Sequence, residues 1–175
     1  AESGGAVLEV EEGKEKACLA QSPQCYKQMA IASGLERVFE VAPAFRAENS
    51  NTKTHANEFW MIEPEIAFCD LDEDMNIMEK MLKYIIRYVL DNCHDEMEFF
   101  DKFVEKGLIE KLTNLVNSKF VRVDHEAVIN ILKKAKVKWE FEPEYGEDIA
   151  REHEKYITEY FGGPVFIKNW PKDIK

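Results

Sequence analysis

A chain of 175 residues, 45% hydrophobic and 11% aromatic, has the length of one domain and enough apolar material for a core. Its net charge of −11 excludes non-specific nucleic-acid binding, which needs concentrated Lys and Arg, so an RNA partner requires a local basic patch. No apolar run approaches the roughly 18 residues of a membrane span, and the opening AESGGAVLEVEEGKEK lacks a signal pattern; the expectation is a cytoplasmic protein without membrane or DNA partners. Acidic residues spread along helical faces read as solubilising surface. Cys18, Cys25, Cys69 and Cys93 stand alone, so they read as reduced, mostly buried thiols, and no metal site is expected even at Cys93-His94-Asp95.

No repeat, low-complexity tract or Gly/Ser linker divides the chain, which reads as one domain over 1–175 with a mixed α/β (α+β) fold. Residues 1–68 read as short strands around one helix, 70–161 as mostly helical, and 164–175 as a returning strand. Cys18 to Gln21 closes a strand, and Ser22-Pro23 starts a helix to about Gly34, with Ser as N-cap and Pro in the first turn. Arg37 to Arg46 and Glu58 to Phe68 are rich in β-branched and aromatic residues and form a hairpin. Between them lies a polar loop of about ten residues, longer than closing two strands requires, which points to a binding role for the loop.

From Asp72 the spacing of Ile77, Met78, Met81, Leu82, Ile85 and Val89 predicts a helix capped by Asp70 or Asp72, with methionines as core filler. A helical pair follows, Glu96 to Gly107 and Leu108 to Asn117. Then come a strand at Phe120 to Val123, a helix from Asp124 through Lys136, a helix at Asp148 to Phe161 and a buried strand from Pro164 to Trp170.

The hairpin carries the chemistry. Arg46 and Glu48 lie two apart where the first strand ends, so they project to one face. Arg offers bidentate recognition of phosphate or carboxylate, His55 adds a donor, and Phe59 offers a flat face for a base. Taken singly, each has a plainer reading as a surface ion pair or a core aromatic. Together in one loop they describe a nucleotide pocket. On the first helix Gln24 and Lys27 are three apart and share a face, although Lys27 by itself reads as an exposed helix lysine.

The run FRAENSNTKTHANEF, Phe45 to Phe59, resembles motif 2 of class II (subclass IIb) aminoacyl-tRNA synthetases in its asparaginyl and aspartyl form. The resemblance implies an antiparallel sheet flanked by helices and an ATP site. In that site Arg46 holds the α-phosphate and the activated carboxylate, Glu48 meets the adenine amino group, His55 reaches the distal phosphates and Phe59 stacks on adenine. The family's arginine before the histidine is Thr54 here, with Lys53 beside it. AQSPQCYKQM, Ala20 to Met29, resembles the amino-acid-binding segment of the aspartyl enzymes, implying substrate contacts from Ser22, Gln24 and Lys27. The N-terminal ESGGA resembles their closing loop, with Ser3 in place of an acidic residue.

Asn49, the run FWMIEPEIAF with Glu63, and the segments EDIAREHEKYITEYF and PVFIKNWPKDIK resemble the asparaginyl enzymes of bacterial type. There Glu63 occupies the amino-acid pocket, where it accepts from an ammonium or carboxamide and repels a β-carboxylate. Lys27 and Glu63 thus give opposed signals. The asparaginyl likeness runs over about Phe45 to Lys175, so the function expected is asparagine activation with ATP and ligation to tRNA(Asn). Motif 1, which builds a homodimer, motif 3, the acidic residues for Mg2+ and the anticodon-binding barrel are not found in these 175 residues, so a partial catalytic core with weak or no activity by itself is expected. Aspartate–tRNA ligation, a tRNA-independent asparagine synthetase working through aspartyl-adenylate, and an inactive binding module are the alternatives.

Overall fold

The computed structural model describes residues 7–47 and 56–174, and its backbone separates into two compact units, Ala1–Asp70 and Leu71–Lys175. In the first unit β1 (Glu9–Glu12) and β2 (Glu15–Cys18) pair antiparallel around a two-residue turn, where Gly13 at φ +65° supplies the left-handed backbone such a turn needs. Helix α1 (Gln24–Ala32) begins two residues after Ser22. The helix has Pro23 rather than Ser22 at its N-cap, and the Ser22 hydroxyl instead accepts from the Gln24 amide at 3.2 Å.

Strands β3 (Arg37–Phe45) and β4 (Glu58–Ile66) pair from Arg37↔Ile66 to Phe45↔Glu58, and Arg46 N–H donating to Asn57 O at 2.9 Å extends the ladder towards the loop. Phe45 N–H donates to Ala20 O at 3.0 Å, fastening the segment before α1 to the end of β3. Period-two alternation sorts the hairpin into two faces. Phe39, Val41, Trp60 and Ile62 are exposed on one; Glu40, Ala42, Ala44, Phe59, Met61, Glu63 and Glu65 lie on the other, half-buried or buried, with α1 packed over it.

In the second unit α2 (Leu71–Asn92) packs on α3 (His94–Phe103) and α4 (Leu108–Asn117). Then β5 (Val121–Asp124), α5 (His125–Lys134), α6 (Arg151–Phe161) and β6 (Val165–Lys168) form a second layer, in which β5 and β6 run parallel, a pairing that needs the long crossover α5 and α6 provide. A 3-10 turn, Lys172–Ile174, follows. The core here is Val128, Ile129, Leu132, Trp139, Ile149 and Ile157. Two antiparallel hairpins, one parallel pair and six helices make the described residues a mixed α/β fold.

Several element ends differ from the sequence-based expectation for visible reasons. Helix α5 stops at Lys134 because the Trp139 indole N–H donates to Leu132 O at 3.3 Å and occupies a terminal carbonyl. Helix α6 starts at Arg151, not Asp148, because Asp148 Oδ1 accepts from Ile149 N–H (2.8 Å) and His153 Nδ1 from Ala150 N–H (3.2 Å), which fixes 148–150 as a cap. Gly107, left-handed at φ +86°, separates α3 from α4. The four cysteines form no disulfide with one another but are not mostly buried: Cys18 and Cys25 are exposed, Cys69 and Cys93 half-buried. Met75 and Met97 fill the interior, whereas Met29 and Met78 are exposed, and β6 is half-buried.

Candidate active site

The site is built where α1 crosses the inner face of the β3–β4 hairpin. Lys27 sits one turn into α1, and Glu63 lies near the middle of β4. Their side chains meet at 2.7 Å between Nζ and Oε2, and are 6% and 12% exposed. The expectation that Lys27 is an exposed helix lysine is thereby corrected, because packing α1 onto the hairpin removes it from water. A buried lysine needs a counter-charge, and Glu63 supplies it.

Ser22 Oγ donates to the same Glu63 Oε2 at 3.5 Å, and Gln24 Nε2 donates to Glu65 Oε2 at 2.9 Å. All four residues expected at the amino-acid pocket, Ser22, Gln24, Lys27 and Glu63, are therefore in one cluster. Glu63 Oε1 is buried and has no hydrogen-bond partner among the described residues, an acceptor that favours an incoming N–H donor. Glu40 stands directly across from Glu63 in the ladder, so Glu40, Glu63 and Glu65 put three carboxylates on this face.

Beyond the cluster, towards the end of β3, the Arg46 guanidinium lies 5.4 Å from the centroid of the Phe59 ring. The contact aligns a planar cation with a flat aromatic surface, the pair of groups suited to phosphate and base. Glu48 and His55 lie outside the described residues, as do Asn49, Lys53 and Thr54. Sequence reasoning missed Glu65, the partner of Gln24. The signal was present, since Glu63 and Glu65 are two apart on a strand and must share a face.

Among the described residues no group of three or more His, Cys, Asp or Glu is placed to hold a metal ion, and no helix is long and apolar enough to cross a membrane.

Comparison with known proteins gives this geometry its family. The family model for "tRNA synthetases class II (D, K and N)" matches residues 4–175. The chain is similar to asparagine–tRNA ligases of Acholeplasma laidlawii, 58% identical over 147 residues, and of Myxococcus xanthus, 50% identical over 147 residues; in both the match covers 83% of this chain and 32% of the relative. The chain thus spans about a third of the length of these curated relatives. Among solved structures, asparaginyl-tRNA synthetase from Pyrococcus horikoshii complexed with asparaginyl-adenylate superposes with a TM-score of 0.81 at 33% identity, covering 99% of this chain and 37% of that one. A hairpin that joins the Lys27–Glu63 cluster to an Arg–Phe pair, a family match over nearly the whole chain and a superposition of this quality agree: the chain belongs to the class II tRNA synthetases of the D, K and N group.

Proposed function

We propose that this chain is the motif 2 and amino-acid-binding part of an asparagine–tRNA ligase, and that it selects asparagine through the Lys27–Glu63 pair. The observation that carries the reading is the 2.7 Å contact between them. Lys27 spends its charge on Glu63, so it is not a free cation awaiting a β-carboxylate. Paired with Lys27 through Oε2, Glu63 leaves Oε1 to accept from a neutral carboxamide or an ammonium, while Glu40 and Glu65 on the same face add repulsion against a further carboxylate. The opposed signals of Lys27 and Glu63 become one device, in which Lys27 positions Glu63.

Nucleotide binding follows from the adjacent pair. Arg46 offers its fork to the α-phosphate and the attacking carboxylate, and Phe59 offers a stacking face, with Glu48 and His55 completing the ATP site. An asparagine carboxylate oxygen attacks the α-phosphorus, the bond to pyrophosphate breaks, and a terminal ribose hydroxyl of tRNA then displaces AMP from the acyl carbon. The chain contributes positioning and charge, with no covalent nucleophile. Mg2+ bound with ATP would neutralise phosphate charge; the described residues provide no set of ligands for it, and no step here runs through it. The whole protein works as a cytoplasmic homodimer on this reading, and residues 1–175 form one partial catalytic domain within it.

ATP–pyrophosphate exchange by the whole protein, run with asparagine and with aspartate, tests the proposal. Exchange driven by asparagine at least tenfold better than by aspartate is expected; a preference for aspartate would overturn it. Ammonia-dependent formation of asparagine without tRNA would establish the amidating alternative instead.

A further inference from the structure

The second unit holds a feature that the amino-acid and ATP sites do not use. Residues 127–138 contain four lysines, Lys133, Lys134, Lys136 and Lys138, and no carboxylate, in a chain whose net charge is −11. All four are exposed. They occupy the last turn of α5 and the segment leading to Trp139, a buried residue that anchors this segment to the core. Beside them, between α5 and α6, runs a groove of about 390 Å³ lined by Asn130, Ile131, Lys134, Tyr156 and Tyr160.

The groove has the composition of a nucleic-acid surface. The Tyr156 and Tyr160 rings are near parallel, 25° apart with centroids at 6.3 Å, and Tyr156 is braced edge-on by Trp139 at 5.3 Å. Tyr160 remains 58% exposed, which leaves much of its ring for a further flat partner. Lysine charge beside an aromatic platform is the pattern that tracks a phosphate backbone while stacking an unpaired base. Lysines near a helix C-terminus also serve the helix dipole, but that role explains neither Lys136 and Lys138, which lie beyond the helix, nor the tyrosines. Acids border the patch without entering it: Glu126 and Glu140 flank the lysine run in sequence, the Glu152 carboxylate is taken up by the Glu140 and Phe141 N–H groups at 3.0 and 2.9 Å, and Glu159 on α6 has Lys155 3.9 Å away.

We infer that the α5–α6 groove and its flanking lysines form a docking surface for RNA, with the lysines on successive phosphates and Tyr160 beneath an unpaired base. The identity of the RNA as tRNA rests on the ligase reading above. The surface supplies the local basic patch that an acidic chain needs for a polyanionic partner.

Fluorescence anisotropy of an in vitro transcribed, end-labelled tRNA(Asn) with the whole protein, across about 50 to 200 mM salt, tests this. The variant carrying Lys133→Gln, Lys134→Gln, Lys136→Gln and Lys138→Gln should bind at least tenfold more weakly, with a log Kd against log salt slope lower by about two or more. Tyr160→Ala should weaken binding about fivefold, and Tyr160→Phe, which keeps the ring, should restore it. Asparagine-dependent pyrophosphate exchange should be unchanged in every variant. Unchanged affinity and slope in the lysine variant would overturn the inference, as would displacement of the tRNA by poly-glutamate at equal charge, which would mark a general acid-binding surface. If exchange with asparagine is absent while the lysine variant still loses tRNA, the ligase reading fails and the RNA surface stands.

Discussion

The two units bury different things. Among the described residues, the second unit holds Met75, Met97, Val116, Phe120, Val128, Ile129, Leu132, Trp139, Ile149 and Ile157 in its interior, with His125 and His153 as its buried polar side chains, whereas the first buries only Ala44 and Pro23 as apolar side chains, beside Gln21 and the charged Lys27. One unit places its apolar residues against one another; the other puts a charged pair at its centre and leaves Phe39, 74% exposed, and Trp60, 69% exposed, on its outer face. The contrast separates stability from selectivity. A buried ion pair is weak support for folding, because desolvation offsets its attraction, but it fixes one carboxylate in one orientation. The first unit is therefore where substitutions should alter which substrate is taken, and the second where they should alter whether the protein stays folded.

The largest expected effect lies in the second unit. Leu132 is fully buried, and Leu132→Ala should lower unfolding free energy by about 3 kcal/mol, read by denaturant titration, with the ratio of asparagine to aspartate exchange unchanged. A changed ratio would erase the separation between the units. Next, Lys27→Met leaves Glu63 buried without its cation, and should reduce kcat/KM for asparagine in pyrophosphate exchange by about 2 kcal/mol, roughly thirtyfold. Arg46→Lys keeps charge and loses the fork over Phe59, so KM for ATP should rise by about 1.4 kcal/mol, tenfold, without altering the choice of amino acid.

The smallest effect concerns a carboxylate that supports the helical layer. Glu79 on α2 accepts from Lys83 at 2.8 Å and from the Phe120 N–H at 3.3 Å, with Arg122 at 3.7 Å, while Lys83 also donates to Ser118 O. The Lys83 hydrogen bond, helped by the Phe120 amide and the two cations, holds the Glu79 carboxyl below the ordinary glutamate range against the opposing effect of burial. Its stabilisation is therefore present above the unfolded-state value and is lost as pH falls through the depressed folded value. Glu79→Gln should cost about 1 kcal/mol at neutral pH and flatten the acid limb of the stability profile, measured by thermal unfolding between neutral pH and the acid range.

Much of this was legible before any coordinates. The hairpin at β3 and β4, helix α1 and the long helix α2 follow from alternation, Gly and Pro punctuation and helical spacing, and Ser22, Gln24, Lys27 and Glu63, the four residues expected at an amino-acid pocket, fall within one cluster. What was illegible was pairing across the chain. Lys27 and Glu63 are 36 residues apart, and nothing local to either says that the lysine is buried or that the carboxylate is its partner. Met78, Leu82 and Ile85 share the α2 spacing with Ile77, Met81 and Val89, yet each is 40% exposed, because the helical period shows that a stripe is apolar and not how much of it finds cover. Helix ends at Lys134 and Arg151 depend on Trp139 and His153, side chains that act on the backbone from outside the local pattern.

The central claim is that Lys27 is spent on Glu63 and so does not recruit a β-carboxylate. Glu63→Gln tests it most directly, because it removes the counter-charge and leaves the lysine in place with its side chain of near-equal shape. Measured as the ratio of kcat/KM for asparagine over aspartate in pyrophosphate exchange, the account predicts a fall of about tenfold or more, with aspartate gaining as Lys27 is released. A ratio equal to that of the unaltered protein, with both substrates losing alike, would contradict it.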